Sequence, residues 1–189
     1  MEALRRIVPD SIVPYVGRYY CDDSVCDLSS TYPLSAPRPG LVLSGVVMEY
    51  MPYSDFFDLL NYLQEPTVGK PRRTLHPHVA RWYAIDILNR IYSLHYHGYY
   101  HGDIKPENLM MRADGHIVLG DLGETRKDIP ENWVMPNLGT PTTQAPELYE
   151  NWEGPRRPSD IWSVGVILFD MLFGHMVRRS CLQNPFILT

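Results

Sequence analysis

Lysine is scarce in this chain: Lys70, Lys105 and Lys127 are the only three among 189 residues. With arginine included, 17 basic residues face 22 acidic ones, a net charge of −5. A general nucleic-acid binder needs a basic surplus, so that class is set aside. No apolar run approaches the about 18 residues of a membrane span. The opening MEALRRIVPDSIV has arginines but no long apolar stretch behind them, so it does not read as a secretory signal. Cysteine is limited to Cys21, Cys26 and Cys181. So few, and an odd number, point to free thiols in a reducing compartment rather than to a disulfide framework. Zinc held by Cys21 and Cys26 with distant histidines is the minor alternative. Five of the seven histidines fall in LHPHVARW and LHYHGYYH, but no acid or cysteine stands beside them at ligand spacing.

The remaining composition, 44% hydrophobic and 21% charged, suits one globular domain or part of a larger one. EALRRIV has a short helical pattern with Leu4, Ile7 and Val8 on one side, stopped at Pro9-Asp10. SIVPYVGRYY reads as a strand, and residues 21–40, rich in Ser, Pro and Asp, as a surface loop. LVLSGVVMEYM reads as a buried strand. SDFFDLLNYL opens on a capping pair and reads as a short helix, with QEPTVGKPRR a loop after it. Val79, Tyr83, Ile87, Ile91 and Leu94 mark one face of the longest helix, which ends at Gly98. NLMMRADGHIVLGDLG is a hairpin around Asp114-Gly115. Residues 124–158 carry six prolines and read as irregular. The last helix, DIWSVGVILFDMLFG, opens at Pro158 or Ser159 and is apolar almost all round, the mark of a helix buried at a centre.

One polar loop stands out, HGDIKPEN, with Asp103, Lys105 and Asn108 at spacing D-x-K-x-x-N. Phosphoryl transfer asks for little covalent help; it needs positioning and cations against the phosphates. An acid accepts the proton of the attacking hydroxyl, and a lysine neutralises the γ-phosphate. An amide and a second acid hold Mg²⁺ through oxygen, the donor that hard cations prefer. Asp121, at the end of the hairpin, supplies the second acid. A merely polar turn and a solvated acid would account for these residues alone, but not for the four stretches that accompany them.

Those stretches are VVMEYM, DLG (Asp121–Gly123), GTPTTQAPE (Gly139–Glu147) and DIWSVGVILF. With HGDIKPEN, and in this order, they make the chain resemble the catalytic lobe of eukaryotic protein kinases over nearly its whole length. The resemblance implies an α+β, protein-kinase-like fold. Residues 1–51 would be a remnant N-lobe: the end of helix C, two strands and the hinge, with a loop insertion at 21–40. Residues 52–189 would be a mostly α-helical C-lobe with small β-hairpins, incomplete after the central helix. It further implies ATP and Mg²⁺ as cofactors and a protein substrate or binding partner, with no nucleic acid or membrane, in an intracellular, cytoplasmic setting that leaves the nucleus open. Asp103 would be the catalytic base and Lys105 the γ-phosphate contact, with Asn108 and Asp121 the metal ligands. Met48 would be the gatekeeper. The backbones of Glu49 and Met51 would bond adenine, with Met110 packing beneath it and Asp55 placed for the ribose. Asp160 would fasten the catalytic loop from below. His101, Leu122, Leu4 and Tyr15 would form the hydrophobic stack that links the lobes. Gly123, Thr140 and Glu147 would be structural, with Arg156 or Arg157 the candidate substitutes for the arginine that Glu147 needs. Lys105 and Thr140 follow the serine/threonine pattern rather than the tyrosine one.

Departures from the family pattern are equally specific. No G-x-G-x-x-G occurs, and no lysine precedes the hinge. The helix-C glutamate should fall one residue before Met1; Glu2 comes two positions late. The chain therefore reads as a kinase domain shortened at both ends and weakly active or inactive by itself, its central helix left with an exposed apolar face. Gly102 stands where many kinases carry a phosphate-reading arginine, and Thr125 is the only hydroxyl between Asp121 and Gly139. No phosphate switch of the usual kind is expected. The alternative is a pseudokinase, a kinase-like protein-binding module without catalysis.

Overall fold

Apolar residues spaced three and four apart decide which way helix α3 (Pro77–Tyr96) faces. In a computed structural model of the chain, which describes residues 2–22, 41–64, 74–128, 140–150 and 156–174, Ala80, Ala84, Ile87, Ile91 and Leu94 are buried along one side of α3. Ala80, Ile87, Ile91 and Leu94 share one core with Val164, Ile167 and Met171 of helix α5 (Arg157–Phe173). Val79, expected on this face, is 42% exposed. The ridge starts one residue later, at Ala80, and a shift of one position turns a side chain by about 100°. After α3, the Gly98 N–H closes the helix on His95 O at 2.9 Å.

Helix α1 (Glu2–Ile7) sends Leu4 and Val8 into the same core. Ile7, expected beside them, is 37% exposed. Leu4 and Val8 are four apart and stack on one face, and Ile7 falls off its edge. Residues 11–13 then run along the hairpin: Val13 N donates to Leu119 O at 2.9 Å and Leu119 N to Ser11 O at 2.8 Å.

Strands β1 (Tyr15–Asp22) and β2 (Leu41–Met48) pair antiparallel, Tyr15 opposite Met48 and Asp22 opposite Leu41. The strand thus takes in Cys21 and Asp22, which the sequence placed in the 21–40 loop, because both find partners in Val42 and Leu41; the rest of that loop lies outside the described residues. Toward its C-terminal end, strand β2 is not buried as expected. Val46, Val47 and Met48 are 39–45% exposed, since among the described residues this sheet has only two strands.

Helix α2 (Phe56–Gln64) is capped as its sequence predicts: the Asp58 N–H donates to Asp55 Oδ1 at 2.9 Å. Its Phe56 and Leu60 join the main core. The 65–73 part of the following loop lies outside the described residues. Strands β4 (Leu109–Met111) and β5 (Ile117–Leu119) form the expected hairpin, turning at Gly115 with φ +84°. Strand β3 (Tyr99–Tyr100) pairs with β6 (Arg126–Lys127). That strand and helix α4 (Glu147–Glu150) fall inside the stretch read as irregular. Both are too short for a periodic signal.

Helix α5 corrects the reading of burial all round and keeps the exposed apolar face expected of it. It is not buried all round. Its polar residues Ser159, Asp160, Ser163 and Asp170 face inward, whereas Ile161, Trp162, Phe169 and Phe173 are 39–59% exposed. On the same buried side Val164, Ile167 and Met171 join the core, and Asp160 receives the loop that carries the candidate chemistry. No helix among the described residues is long and apolar enough to cross a membrane.

Candidate active site

The loop from His101 to Asn108 is held from beneath by one carboxylate. Asp160, 2% exposed, accepts the His101 N–H at 2.8 Å on Oδ2 and the Gly102 N–H at 2.9 Å on Oδ1. His95 Nε2 donates to the same Oδ2 at 2.8 Å. A buried carboxylate so supplied with donors keeps its lone pairs satisfied, which burial otherwise makes costly. Gly102 has φ +85°, a conformation that glycine takes without strain.

His101 is fully buried and its ring joins two loops. Nε2 lies 2.9 Å from Gly120 O, and a carbonyl only accepts, so Nε2 carries the proton. Nδ1 is then free to accept the Asp103 N–H at 3.3 Å. The neutral, Nε2-protonated tautomer follows from these two partners.

Asp103, Lys105 and Thr140 close a ring. Thr140 Oγ1 donates to Asp103 Oδ1 at 2.7 Å, Lys105 Nζ to Asp103 Oδ2 at 2.7 Å, and Lys105 Nζ also to Thr140 Oγ1 at 3.0 Å. Burial pushes the Asp103 carboxyl up. The hydrogen bonds from Lys105 and Thr140, with the Lys105 charge, outweigh it and hold the group below its ordinary value. Asp103 is therefore a carboxylate at neutral pH, able to accept a proton. Asn108 is tied to it: Nδ2 donates to Asp103 O at 2.8 Å and to Oδ2 at 3.1 Å.

The hairpin brings Asp121 to this loop. Gly120 N donates to Asn108 O at 2.7 Å, one residue before Asp121. Asp121 has φ +42° and its Oδ1 accepts the Gly123 N–H at 3.2 Å. Leu122 packs against the main core. Thr125 Oγ1 donates to His101 O at 3.3 Å, tying the following segment back to the loop.

On the hinge side, Met51 is buried with Val13 and Val118, and Met110 packs on them. Glu49 N donates to Pro14 O at 2.9 Å, and Ser54 N to Met51 O at 3.3 Å. Glu49 C=O and Met51 N–H make no hydrogen bond among the described residues. Asp55 bridges to Met110. Its carboxyl is pushed up, chiefly by burial and further by the neighbouring charges of Asp58 and Glu107, against the lowering pull of the Asp58 N–H. Met48 is 45% exposed at the end of β2. Tyr15 and Leu4 are buried, Leu4 in the main core. Glu147 opens α4. Arg157, offered as its partner, instead meets Asp128 at 2.7 Å, and Arg156 N donates to Ser159 Oγ at 2.7 Å at the start of α5.

Two supporting groups escaped the sequence reading. His95, with no acid or cysteine beside it at ligand spacing, shares Asp160 with the loop; no spacing rule links positions 65 apart. Asp86, 7% exposed, accepts the Ile117 N–H at 2.7 Å and meets Arg90 at 3.0 Å and His116 at 3.1 Å. Arg90 in turn donates to Asp10 O at 2.6 Å. This network clamps α3, the hairpin and the segment after α1 together. The Asp86–Arg90 spacing of four on a helix was the available signal.

The protein kinase domain family matches residues 42–184. Human citron Rho-interacting kinase is 35% identical over 136 residues, covering 68% of this chain and 6% of the relative. Human Rho-associated protein kinase 1 is 33% identical over 134 residues, 68% of this chain and 9% of the relative. The human cAMP-dependent protein kinase catalytic subunit PRKX is 32% identical over 129 residues, 68% of this chain and 33% of the relative. The chain thus spans from 6% to 33% of the length of these relatives. Residues 42–184 take in the hinge, the Asp103 loop, Asp121 and helix α5, so the matched segment and the hydrogen-bonded site coincide, and the chain belongs to the protein kinase family.

Proposed function

We propose that this chain carries the phosphate-handling half of a serine/threonine protein kinase site and acts on Mg-ATP and a protein hydroxyl. The observation that carries this reading is the closed ring of Asp103, Lys105 and Thr140 with Asn108 tied into it. The ring gathers an acid, a cation and an amide on one loop, the groups that phosphoryl transfer uses.

The donor set fits magnesium. Asn108 Nδ2 is spent on Asp103, which leaves Asn108 Oδ1 to face a cation. Asp121 Oδ1 accepts from Gly123, which leaves Oδ2. Two oxygen ligands from the protein, with the remainder from phosphates and water, suit Mg²⁺. When bound, the metal neutralises charge that builds on the phosphates. Asp103 orients the attacking hydroxyl and accepts its proton. Lys105 supplies positive charge beside the transferred group. Glu49 C=O and Met51 N–H, both unspent, suit an adenine edge, with Met110 beneath and Asp55 toward the ribose. Lys105 and Thr140 favour serine or threonine as acceptor.

A second reading is favoured by a sequence observation: with no glycine-rich loop and no lysine before the hinge, positioning of the phosphates is weakened, as in a kinase-like module that binds proteins without transfer. Single-turnover transfer from γ-labelled ATP to a serine/threonine peptide pool separates the two. We expect slow transfer that falls at least about 100-fold in Asp103→Asn. Transfer that is absent in both, or equal in both, sinks the catalytic reading.

A further inference from the structure

Helix α3 is long, and one side of it is taken up by the core. The opposite side of a helix in that position is expected to be polar. Here it carries Trp82 (44% exposed), Ile85 (46%), Leu88 (37%), Tyr92 (67%) and Tyr96 (74%). These lie at helical spacing on one stripe, about 150° around from Ala80, Ile87 and Leu94. Exposed Arg81 and Asn89 interleave with them.

The stripe can be laid antiparallel against the same stripe of a second copy. Laid antiparallel against itself with the centre between Leu88 and Asn89, the stripe sets Ile85 opposite Tyr92 and Arg81 opposite Tyr96. A two-fold contact requires this: residue i meets residue j, and j meets i. Arg81 has no ion-pair partner among the described residues, and an arginine over an exposed tyrosine ring is a favourable contact. The exposed fractions of the five apolar residues amount to between two and three whole side chains. At about 200 Å² each that is roughly 500 Å² per copy before Arg81, Asn89 and flanking residues are counted. Their addition brings a pair to the low end of the 1,200–2,000 Å² that specific interfaces bury.

We propose that α3 is a homodimer seam: two copies of this chain pair antiparallel through Trp82, Ile85, Leu88, Tyr92 and Tyr96, with Arg81 of each copy over Tyr96 of the other. The hydrogen-bonded groups of the candidate active site, Asp103, Lys105, Asn108 and Asp121, are not part of the seam, so pairing leaves them free. Neither the seam nor its test rests on transfer activity.

Analytical ultracentrifugation of the full chain at micromolar concentration tests this. The wild type should sediment with about twice the monomer mass, Ile85→Glu combined with Tyr92→Glu as a monomer, and Phe169→Glu on α5 as the wild type. The register is checked by crosslinking, in a background with Cys21, Cys26 and Cys181 changed to serine. Arg81→Cys mixed with Tyr96→Cys should form a disulfide-linked pair under mild oxidation, and neither variant alone should, since like positions lie about 22 Å apart in the antiparallel pairing. A monomeric wild type, a dimer that survives the double glutamate variant, a dimer dissolved by Phe169→Glu, or crosslinking of each cysteine variant with itself each overturn the proposal. Circular dichroism melting of the glutamate variants guards against misfolding, and the crosslinking arm stands independently of them.

Discussion

Asp103 shows how a single residue is tuned by its neighbours. Burial alone raises its carboxyl, and Lys105 with Thr140 reverses the sign. A carboxyl whose folded value lies below its unfolded value, about 3.9, adds stability that is complete above about pH 4 and is lost as pH falls through the folded value. Lys105→Met should therefore move the Asp103 titration upward and bring acid unfolding to higher pH, read by carbon NMR of the carboxyl and by acid melts. An unmoved titration would show that Lys105 does not hold this group. Asp103, Lys105, Asn108 and Asp121 were legible because they fall on two short stretches whose spacing has a chemical meaning. His95 was not, since Asp160 arrives only through folding, and of the partners of Asp86 only Arg90, four residues on, is local in sequence.

Among the elements, α3 and α5 show where periodicity informs and where it misleads. The α3 face was legible to within one residue, and the prediction follows that single step. Ile91→Ala, in the core, should cost about 2–5 kcal/mol; Val79→Ala, on the exposed side, should cost within about 0.5 kcal/mol, both by urea unfolding. Comparable losses at the two sites would contradict the observed helix rotation. For α5, the mean apolarity suggested burial all round, whereas four polar residues are buried beside Val164, Ile167 and Met171 and four large apolar ones stay open. Asp160→Ala removes the acceptor for two backbone N–H groups and His95. About 3 kcal/mol should be lost, in the range for buried groups left unpaired, and amide exchange at His101 and Gly102 should speed up. His95→Ala should cost less, since both amides keep Asp160. Equal effects of the two would make His95 the true anchor.

For the whole molecule, what the sequence conveyed was the order of motifs, and the loop, the hairpin and α5 are hydrogen-bonded together in the fold. Strand β2 departs from expectation and the outer side of α5 keeps the exposed apolar face expected of it, for a common reason. An apolar pattern reports what a segment is able to bury, and the number of neighbours packed on it decides how much it does bury. Among the described residues, β1 alone pairs with β2, and Ile161, Trp162, Phe169 and Phe173 of α5 stay partly open.

The central claim, that Asp121 and Asn108 hold Mg-ATP against the Asp103 loop, is tested most directly by thermal melting of the purified chain with and without saturating Mg-ATP, beside Asp121→Ala. A ligand that binds only the folded form raises the melting temperature by mass action, worth about 2.7 kcal/mol at a hundred times its dissociation constant. The account predicts an upward shift in the wild type that needs magnesium and is lost in Asp121→Ala. A cooperative melt that Mg-ATP leaves unmoved, or a shift that Asp121→Ala retains in full, would contradict it.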